Sequence, residues 1–272
     1  ITPQHFSLGN KGRPCIKKQN NCEDKYHNVP GAEAYTHSIQ TLSKSRETYH
    51  RISELPKGAR VGIVGAGLSG IELASELRES RSDLEILLYD RGPRILRNFP
   101  EKLSKYISNW FSKHNVTVVP NSVIDRVEPG KIYNNGKPEN IDLVVWTAGI
   151  QPVEIVRNLP IDMSTSGRVI INQYHQVPTY RNVYVVGDCA NLPHAPSAQL
   201  AELQGEQIAE VLKKQWNNEP LPDKMPEIKV QGFLGSLGDK QGFAYIMDRT
   251  VTGRLASILK SGVLWRYKYH NG

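Results

Sequence analysis

The sequence predicts an α/β fold, and two observations between residues 60 and 149 lead to that class. Short apolar segments of strand length alternate there with longer segments of helical periodicity, as in parallel sheets covered by helices. The turn Gly65-Ala-Gly67-Leu-Ser-Gly70 comes directly after the first strand and directly before the first helix. A glycine-rich turn in that position is typical of Rossmann-like domains.

Each element of this unit has its own local signal. Apolar runs predict the strands and a 3.6-residue spacing predicts the helices, in the order strand 61–64, helix 68–80, strand 84–89, helix 101–114 and strand 116–119. Three further strands, over 123–127, 131–133 and 141–146, are separated by Pro129-Gly130 and Asn135-Gly136. Because such dipeptides form tight turns, we expect a small antiparallel β-meander before the sheet resumes.

The flanking segments predict a second, incomplete α/β domain. Residues 1–28 are polar and lack periodicity, so we expect little order there. In the segment 29–57, residues 29–55 predict a turn that leads into a mostly polar helix, and the segment 150–216 carries the strand-like pieces RVIIN and VYVVGD followed by a helix over 197–215. We assign these two segments to one discontinuous domain, residues 58–149 to the Rossmann-like domain, and 228–272 to a separate C-terminal region.

Composition places the chain among globular proteins. Hydrophobic residues make up 39% and charged residues 22%, and no apolar run reaches the roughly eighteen residues of a membrane-spanning helix. The first residues lack the features of a secretory signal, so we expect a cytoplasmic location. The net charge of +7 comes from dispersed basic residues, and we expect no nucleic-acid partner.

The three cysteines, Cys15, Cys22 and Cys189, are scattered along the chain and include no C-x-x-C pair. We therefore expect no disulfide framework, no metal site and no dithiol redox centre.

The glycine turn predicts a site for a dinucleotide. Gly65 allows the tight turn, Gly67 allows the backbone to approach a pyrophosphate, and Gly70 allows the helix to pack closely on the strand. Asp90 ends the next strand, and a carboxylate there accepts hydrogen bonds from ribose hydroxyls and favours NAD(H) over NADP(H). The neighbouring Arg91 opposes that preference. The alternative is a glycine-rich turn that binds nothing.

Two acidic residues, Glu72 and Glu76, lie one helical turn apart near the start of the helix that follows the turn. Carboxylates in that position are stabilised by the helix dipole and need no catalytic role. The stretch VYVVGDCA reads as a second buried strand that ends at Gly187 and presents Asp188 beyond its end. The alternative for Asp188 is an acid that caps the following turn.

Seven pieces of the sequence, in their order and spacing, resemble type II NADH dehydrogenases. They are CEDKYHNVPGA, GAGLSGIELASEL, LLYDRGPRIL, VVWTAGI, VYVVGDCA, SAQLAELQG and GFLGSLGDKQG. These single-chain flavoproteins pass a hydride from NADH to FAD and then electrons to a membrane quinone. The resemblance implies that the discontinuous domain is the remnant of an FAD-type α/β domain.

The resemblance also implies roles for individual residues. Asp188 matches the acid that holds the flavin's ribityl chain, and Gly149 lies where the chain crosses from the NADH domain to the FAD domain. Glu72 matches a glutamate near the two reacting rings, and Gln199 matches a residue on the quinone side, so both are expected to act in catalysis. Leu203 replaces a glutamine that the family often has. Without the resemblance, Gln199 reads as the polar face of an amphipathic helix.

One departure from the family concerns the first nineteen residues, which resemble none of its flavin-binding βαβ unit. Pyrophosphate is held mainly by a glycine loop and a helix dipole, so we expect this chain to bind FAD weakly or not at all. It is either a piece of a longer enzyme or a degenerate relative. Two other functions stay open: a non-catalytic NAD(H)-binding module, and an enzyme that uses ferredoxin or another protein acceptor.

The tail TGRLASILKSGVLWRYKYH predicts an amphipathic helix with basic residues around an apolar side. Such a helix either contacts the cytoplasmic face of a membrane or packs on its own domain. A homodimer also stays open.

Overall fold

The computed structural model describes residues 4–8, 14–18 and 22–271, with side chains described for 22–263 and 265. The chain forms two compact units. The large unit comprises Asp24–Gly149 and Gln231–Gly272, and the small unit comprises the residues up to Glu23 together with Ile150–Val230. The expectation of little order over 1–28 falls partly outside the described residues.

The elements are numbered in chain order. The strands are β1 (Gln4–Leu8), β2 (Pro14–Lys18), β3 (Cys22–Asp24), β4 (Arg60–Val64), β5 (Glu85–Tyr89), β6 (Val116–Val119), β7 (Ile124–Glu128), β8 (Lys131–Asn134), β9 (Lys137–Asn140), β10 (Leu143–Trp146), β11 (Ile150–Pro152), β12 (Gln176–Val177), β13 (Tyr180–Tyr184), β14 (Gly232–Leu237), β15 (Gln241–Ile246) and β16 (Arg249–Gly253). The helices are α1 (Ala32–Tyr35), α2 (Leu42–Ser53), α3 (Leu68–Ser80), α4 (Glu101–Lys113), α5 (Glu154–Arg157), α6 (Ala198–Trp216) and α7 (Arg254–Asn271).

A parallel sheet of order β10-β4-β5-β6 forms the centre of the large unit. Its strands are nearly continuous apolar runs because both faces of a parallel sheet are covered. Ile63, Ile86 and Leu88 are fully buried in a core that also includes side chains of α3 and α4. The α/β fold class and the helix predicted over 68–80 are confirmed.

The antiparallel meander is present, but the prediction of its third strand is wrong. The meander consists of β7, β8 and β9, whereas β10 pairs with β4 in the parallel sheet. All four residues of β10 are buried, which suits a parallel strand. The polar β9 contains Pro138, a residue that is tolerated at the edge of a sheet and conceals the strand from apolar patterning.

The C-terminal region packs within the large unit. Strands β14, β15 and β16 form an antiparallel sheet, and Leu237 and Phe243 are buried in the same core as β4. The helix α7 packs on this sheet and buries Ala256. The sequence indicated the helix but not the three strands before it.

The small unit contains the long helix α6, which begins after Ser197. The Ser197 hydroxyl accepts a hydrogen bond from the Leu200 backbone N–H and so caps the helix. The helix predicted over 197–215 is therefore confirmed. The RVIIN stretch forms no strand, and Val169 makes only isolated bridges to Met163 and Ala190.

The prediction of a buried strand over 183–187 is wrong. Strand β13 ends at Tyr184 and pairs with the two-residue β12, and Val183 is 43% exposed. Because so short a partner covers little of β13, its apolar side chains stay partly in contact with solvent. Among the described helices, none has the length and apolar character needed to cross a membrane.

Candidate functional site

The glycine corner joins β4 to α3 in the large unit. Gly65 has φ +109°, and a Cβ there would lie 2.8 Å from the Ala148 Cα. A Cβ at Gly70 would lie 1.9 Å from the Gly65 carbonyl oxygen. A Cβ at Gly67, by contrast, would meet nothing within 4 Å in the part of the chain that the structure describes. Gly65 and Gly70 therefore permit close packing of the corner, while Gly67 faces open space.

The N-terminus of α3 is suited to an anion. Gly67 is the N-cap residue, and no described side chain caps the helix there. The first N–H groups of a helix have no partner inside it, and the helix dipole places partial positive charge at this end. Thr147 follows β10, and its hydroxyl lies within hydrogen-bond distance of two carbonyl oxygens, that of Val64 at 3.0 Å and that of Gly65 at 2.9 Å. This side chain therefore stabilises the corner.

Asp90, immediately after β5, is connected directly to this corner. Its Oδ2 accepts a hydrogen bond of 2.9 Å from the Ala66 N–H, and its Oδ1 accepts one of 2.7 Å from the Gly92 N–H. A carboxylate has about four acceptor positions, so two remain for another donor. The Arg91 side chain is exposed. The sequence indicated that Asp90 ends a strand but not that its carboxylate holds the glycine turn.

Gly149 is the last residue of the large unit's first segment. It has φ +129°, a conformation that favours glycine, and its carbonyl oxygen accepts a hydrogen bond of 3.0 Å from the Lys25 N–H.

Glu72, on the second turn of α3, is engaged by the C-terminal region. Its Oε1 accepts hydrogen bonds from the Ser236 N–H at 2.9 Å and the Ser236 hydroxyl at 3.1 Å, and it pairs with Lys260 Nζ on α7 at 2.5 Å. Both side chains of the pair are about one-third exposed. Glu76 is exposed. The carboxylate of Glu72 thus connects α3, β14 and α7, a set of contacts that the sequence did not indicate.

Replacing Lys260 with Met is expected to destabilise the large unit by about 1 kcal/mol, because a partly exposed ion pair contributes little more than that. Urea unfolding followed by circular dichroism measures the effect. Lys240→Met, at an exposed lysine in the β14–β15 turn, is the matched control and should leave the midpoint unchanged. Equal unfolding midpoints for the two variants would contradict a stabilising ion pair between Glu72 and Lys260.

In the small unit, Gly187 and Asp188 lie in a short 3-10 turn that spans Gly187–Cys189. Gly187 has φ +78°. Burial raises the pKa of Asp188, and the Arg168 guanidinium opposes that rise. The Nε of Arg168 donates a hydrogen bond of 2.9 Å to the Asp188 carbonyl oxygen, which fixes the cation beside the turn.

Gln204, a residue that the sequence did not single out, holds the same turn. It is fully buried, and its Oε1 accepts a hydrogen bond of 2.9 Å from the Gly187 N–H. Its Nε2 has no partner among the described atoms. Gln204 lies one helical turn after the buried Leu200, on the apolar side of α6. A glutamine on that side is the feature of the sequence that could have indicated a buried polar role. Gln199 is half-buried at the second position of α6.

Cys22 and Cys189 are neighbours in the small unit, which their spacing in the sequence did not indicate. Both side chains are buried, and the neighbouring Cys189 thiol, together with burial, raises the pKa of Cys22.

A groove of about 520 Å³ lies between α6 and residues 222–229, and Leu203, Val211 and Met225 contribute to its lining. Among the side chains that the structure describes, no cluster of three His, Cys, Asp or Glu residues could hold a metal ion.

The predicted site residues divide between the units. The glycine corner, Asp90, Gly149 and Glu72 belong to the large unit. Gly187, Asp188 and Gln199 belong to the small unit.

A sequence profile of the family described as pyridine nucleotide-disulphide oxidoreductase matches residues 22–205. The chain belongs to this family. The chain is 56% identical over 251 residues to the NADH dehydrogenase-like protein YutJ of Bacillus subtilis, an alignment that covers 92% of this chain and 71% of that protein. It is 26% identical over 210 residues to the type II NADH:quinone oxidoreductase of Haemophilus influenzae, covering 67% of this chain and 47% of that enzyme.

Among solved structures, the chain is similar to NDH2 from Plasmodium falciparum in complex with NADH. The TM-score is 0.77 at 14% sequence identity, and the match covers 96% of this chain and 76% of that one. Membership of the pyridine nucleotide-disulphide oxidoreductase family confirms the predicted likeness to type II NADH dehydrogenases, the oxidoreductase class, and the cofactors NAD(H) and FAD. The chain spans about half the length of the Haemophilus enzyme.

Proposed function

We propose that this chain is the NADH-binding and flavin-contacting part of a dehydrogenase that passes electrons from NADH through FAD to a quinone. The observation that carries the proposal is the open space at Gly67 in front of an uncapped helix. A dinucleotide pyrophosphate is the anion that this corner suits, since backbone N–H groups and the helix dipole both favour it.

The residues around Asp188 are suited to the flavin side. Its partly buried carboxylate supplies an acceptor, and Gln204, which binds the neighbouring Gly187 N–H, supplies a donor, since its Nε2 has no partner among the described residues. A buried amide N–H without a partner costs free energy, so a ligand that accepts its hydrogen bond would be stabilised there. Gln199, at the start of the same helix, belongs to the proposed acceptor side.

When bound, the two cofactors supply the hydride and electron transfer. The chain's own contribution is to bind and orient them. Asp90 fixes the glycine turn and offers its remaining lone pairs to a ribose. Ser236 and Lys260 hold the carboxylate of Glu72, which is proposed to lie on the acceptor side. Because Lys260 belongs to α7, this helix helps to position that carboxylate.

Changing Asp90 to Asn is expected to weaken NADH binding about tenfold and to narrow the preference over NADPH, because the variant keeps one acceptor but loses the charge that repels a 2′-phosphate. Fluorescence titration with each nucleotide measures both affinities. Arg91→Ala is the companion variant and should shift the preference towards NADH. An unchanged ratio of the two affinities in Asp90→Asn would contradict a ribose role for this carboxylate.

We also propose that α7 contacts a membrane surface. Leu255, Ile258 and Trp265 are 68%, 66% and 69% exposed on this helix. Exposed apolar side chains on a helix with basic residues favour insertion at an anionic lipid interface. The double variant with Leu255→Ser and Ile258→Ser should bind phosphatidylglycerol vesicles at least tenfold less in a flotation assay. Leu42→Ser, at a leucine that is 70% exposed on α2, should bind as the wild type does.

Absorbance spectroscopy with added FAD tests the enzymatic proposal. With FAD present in excess, we expect the visible absorbance band of the flavin to bleach on addition of NADH faster than it does without the protein. A quinone should then restore the band. A bound flavin whose band NADH does not bleach would contradict the proposal.

A second candidate is an NAD(H)-binding module without turnover, favoured by the partial exposure of β13 beside the proposed flavin contact. A colourless protein that binds NADH, and gains no flavin band on incubation with FAD, would support this module instead.

A further inference from the structure

The segment that joins β3 to α1 is fixed beside the C-terminal end of β10 in the large unit. The Lys25 N–H donates a hydrogen bond of 3.0 Å to the Gly149 carbonyl oxygen, and Trp146 Nε1 donates one of 2.9 Å to the Lys25 carbonyl oxygen. The Nε2 of His27, two residues later, lies 2.9 Å from the Ala148 carbonyl oxygen. Three hydrogen bonds therefore hold this segment where β10 ends.

The imidazole of His27 has one nitrogen fixed and the other open. A carbonyl oxygen can only accept, so Nε2 carries a proton and the Nδ1 of the neutral ring is an acceptor. His27 is exposed, and its Nδ1 has no hydrogen-bond partner among the residues that the structure describes. A Cβ at Gly149 would lie 3.6 Å from Nε2, so the ring lies beside the Gly149 backbone. The ring thus offers an acceptor to a ligand at the end of β10.

The backbone at His27 is in a conformation that favours glycine. His27 has φ +52° and Asn28 has φ +58°, in the left-handed region that other residues rarely adopt. Non-glycine residues in such conformations are concentrated at active sites and ligand sites. The imidazole at this position is therefore maintained against a backbone preference for glycine.

The sheet order places this ring on the nicotinamide side of the glycine corner. In the order β10-β4-β5-β6, the strand that carries the glycine turn lies between β5 and β10. Asp90, the proposed contact of the adenosine ribose, follows β5. A dinucleotide that crosses the glycine turn from there reaches the end of β10 with its other half. A Cβ at Gly65 would lie 2.8 Å from the Ala148 Cα, so the end of β10 directly adjoins the corner.

We propose that His27 binds the nicotinamide end of NADH, with its Nδ1 accepting a hydrogen bond from the carboxamide N–H. This contact serves the nicotinamide half alone, whereas Asp90 serves the adenosine half and Gly67 makes room for the pyrophosphate. The inference rests on the proposed function, because it takes the dinucleotide to lie at the glycine corner.

Calorimetric titration of the full chain with NADH and with ADP-ribose tests the contact, since ADP-ribose has the same adenosine and pyrophosphate but no nicotinamide. His27→Gly should weaken NADH binding about fivefold, as expected for the loss of one hydrogen bond, and should leave the ADP-ribose affinity within about twofold. Glycine suits the left-handed backbone, so this variant should fold. Asn28→Gly makes the same replacement at the neighbouring left-handed residue. It is the matched control and should bind both ligands as the wild type does.

Equal losses of NADH and ADP-ribose affinity in His27→Gly would overturn the inference, because the side chain would then act only through the fold of the corner. An unchanged NADH affinity in this variant would overturn it as well. Both results leave the proposed function intact, since the wild-type chain still binds NADH. Failure of the wild-type chain to bind either ligand is a different result, and it would refute the proposed function together with this contact.

Discussion

Replacing Gly67 with Asp is expected to weaken NADH binding at least a hundredfold while leaving the fold unchanged. Gly67 has φ −76°, which any residue adopts, and a Cβ there would meet nothing within 4 Å among the described residues. The new carboxylate would, however, occupy the space in front of α3 and repel the pyrophosphate. A hundredfold loss corresponds to about 2.7 kcal/mol of binding free energy.

Isothermal titration measures the affinity, and circular dichroism checks the fold. Asn109→Asp adds the same charge at an exposed position of α4 and should bind NADH as the wild type does. If Gly67→Asp folds and keeps its affinity within about threefold, the corner does not hold the phosphates.

Replacing Gly70 with Ala is expected to act on the stability of the fold, in contrast to Gly67→Asp. We expect it to lower the free energy of unfolding by about 3 kcal/mol. The added Cβ would lie 1.9 Å from the Gly65 carbonyl oxygen and 2.8 Å from Thr147 Oγ1. A backbone carbonyl cannot rotate away as a flexible side chain can, so α3 must move from the sheet, and overpacking of this kind typically costs about 1–3 kcal/mol or more.

Denaturant unfolding measures the effect, and Gly262→Ala on α7 is the matched control. A Cβ at Gly262 meets no described atom within 4 Å, so alanine should stabilise that helix by about 0.5–1 kcal/mol. Similar unfolding midpoints for the two variants would contradict the close packing of α3 on β4.

The large unit's central sheet and the glycine corner could be predicted because their signals are local. The apolar runs, the helical spacing and the positions of Gly65, Gly67 and Gly70 are all read within a few residues, and the helix predicted from Leu68 to about Ser80 is observed over Leu68–Ser80. The strand over 141–146 was predicted near its true place, but its sheet was not. Its partner β4 is distant in sequence, and no local pattern specifies that pairing.

The contacts that the sequence did not indicate are all long-range. Lys260 reaches Glu72 only because β14, β15 and α7 pack on the core of the large unit. Cys22 and Cys189 are neighbours only because both residues belong to the small unit. Neither pair has a spacing that a local motif would reveal. Gln204 differs, since its place on the apolar side of α6 was visible in the helical pattern.

The roles of Asp90, Asp188, Glu72 and Gln199 stay predictions. The hydrogen-bond or electrostatic surroundings of Asp90, Asp188 and Glu72 are defined in the structure. These surroundings decide which variants are informative. Asp90 is the most informative position, because its carboxylate supports the turn and keeps acceptor positions for the proposed ribose contact.

Titration of NADH into the folded wild-type chain, followed by nicotinamide fluorescence, tests the central claim most directly. The account predicts saturable binding of one NADH per chain, with an affinity that Gly67→Asp lowers at least a hundredfold. Absence of binding by both NADH and NADPH to the folded chain would contradict it.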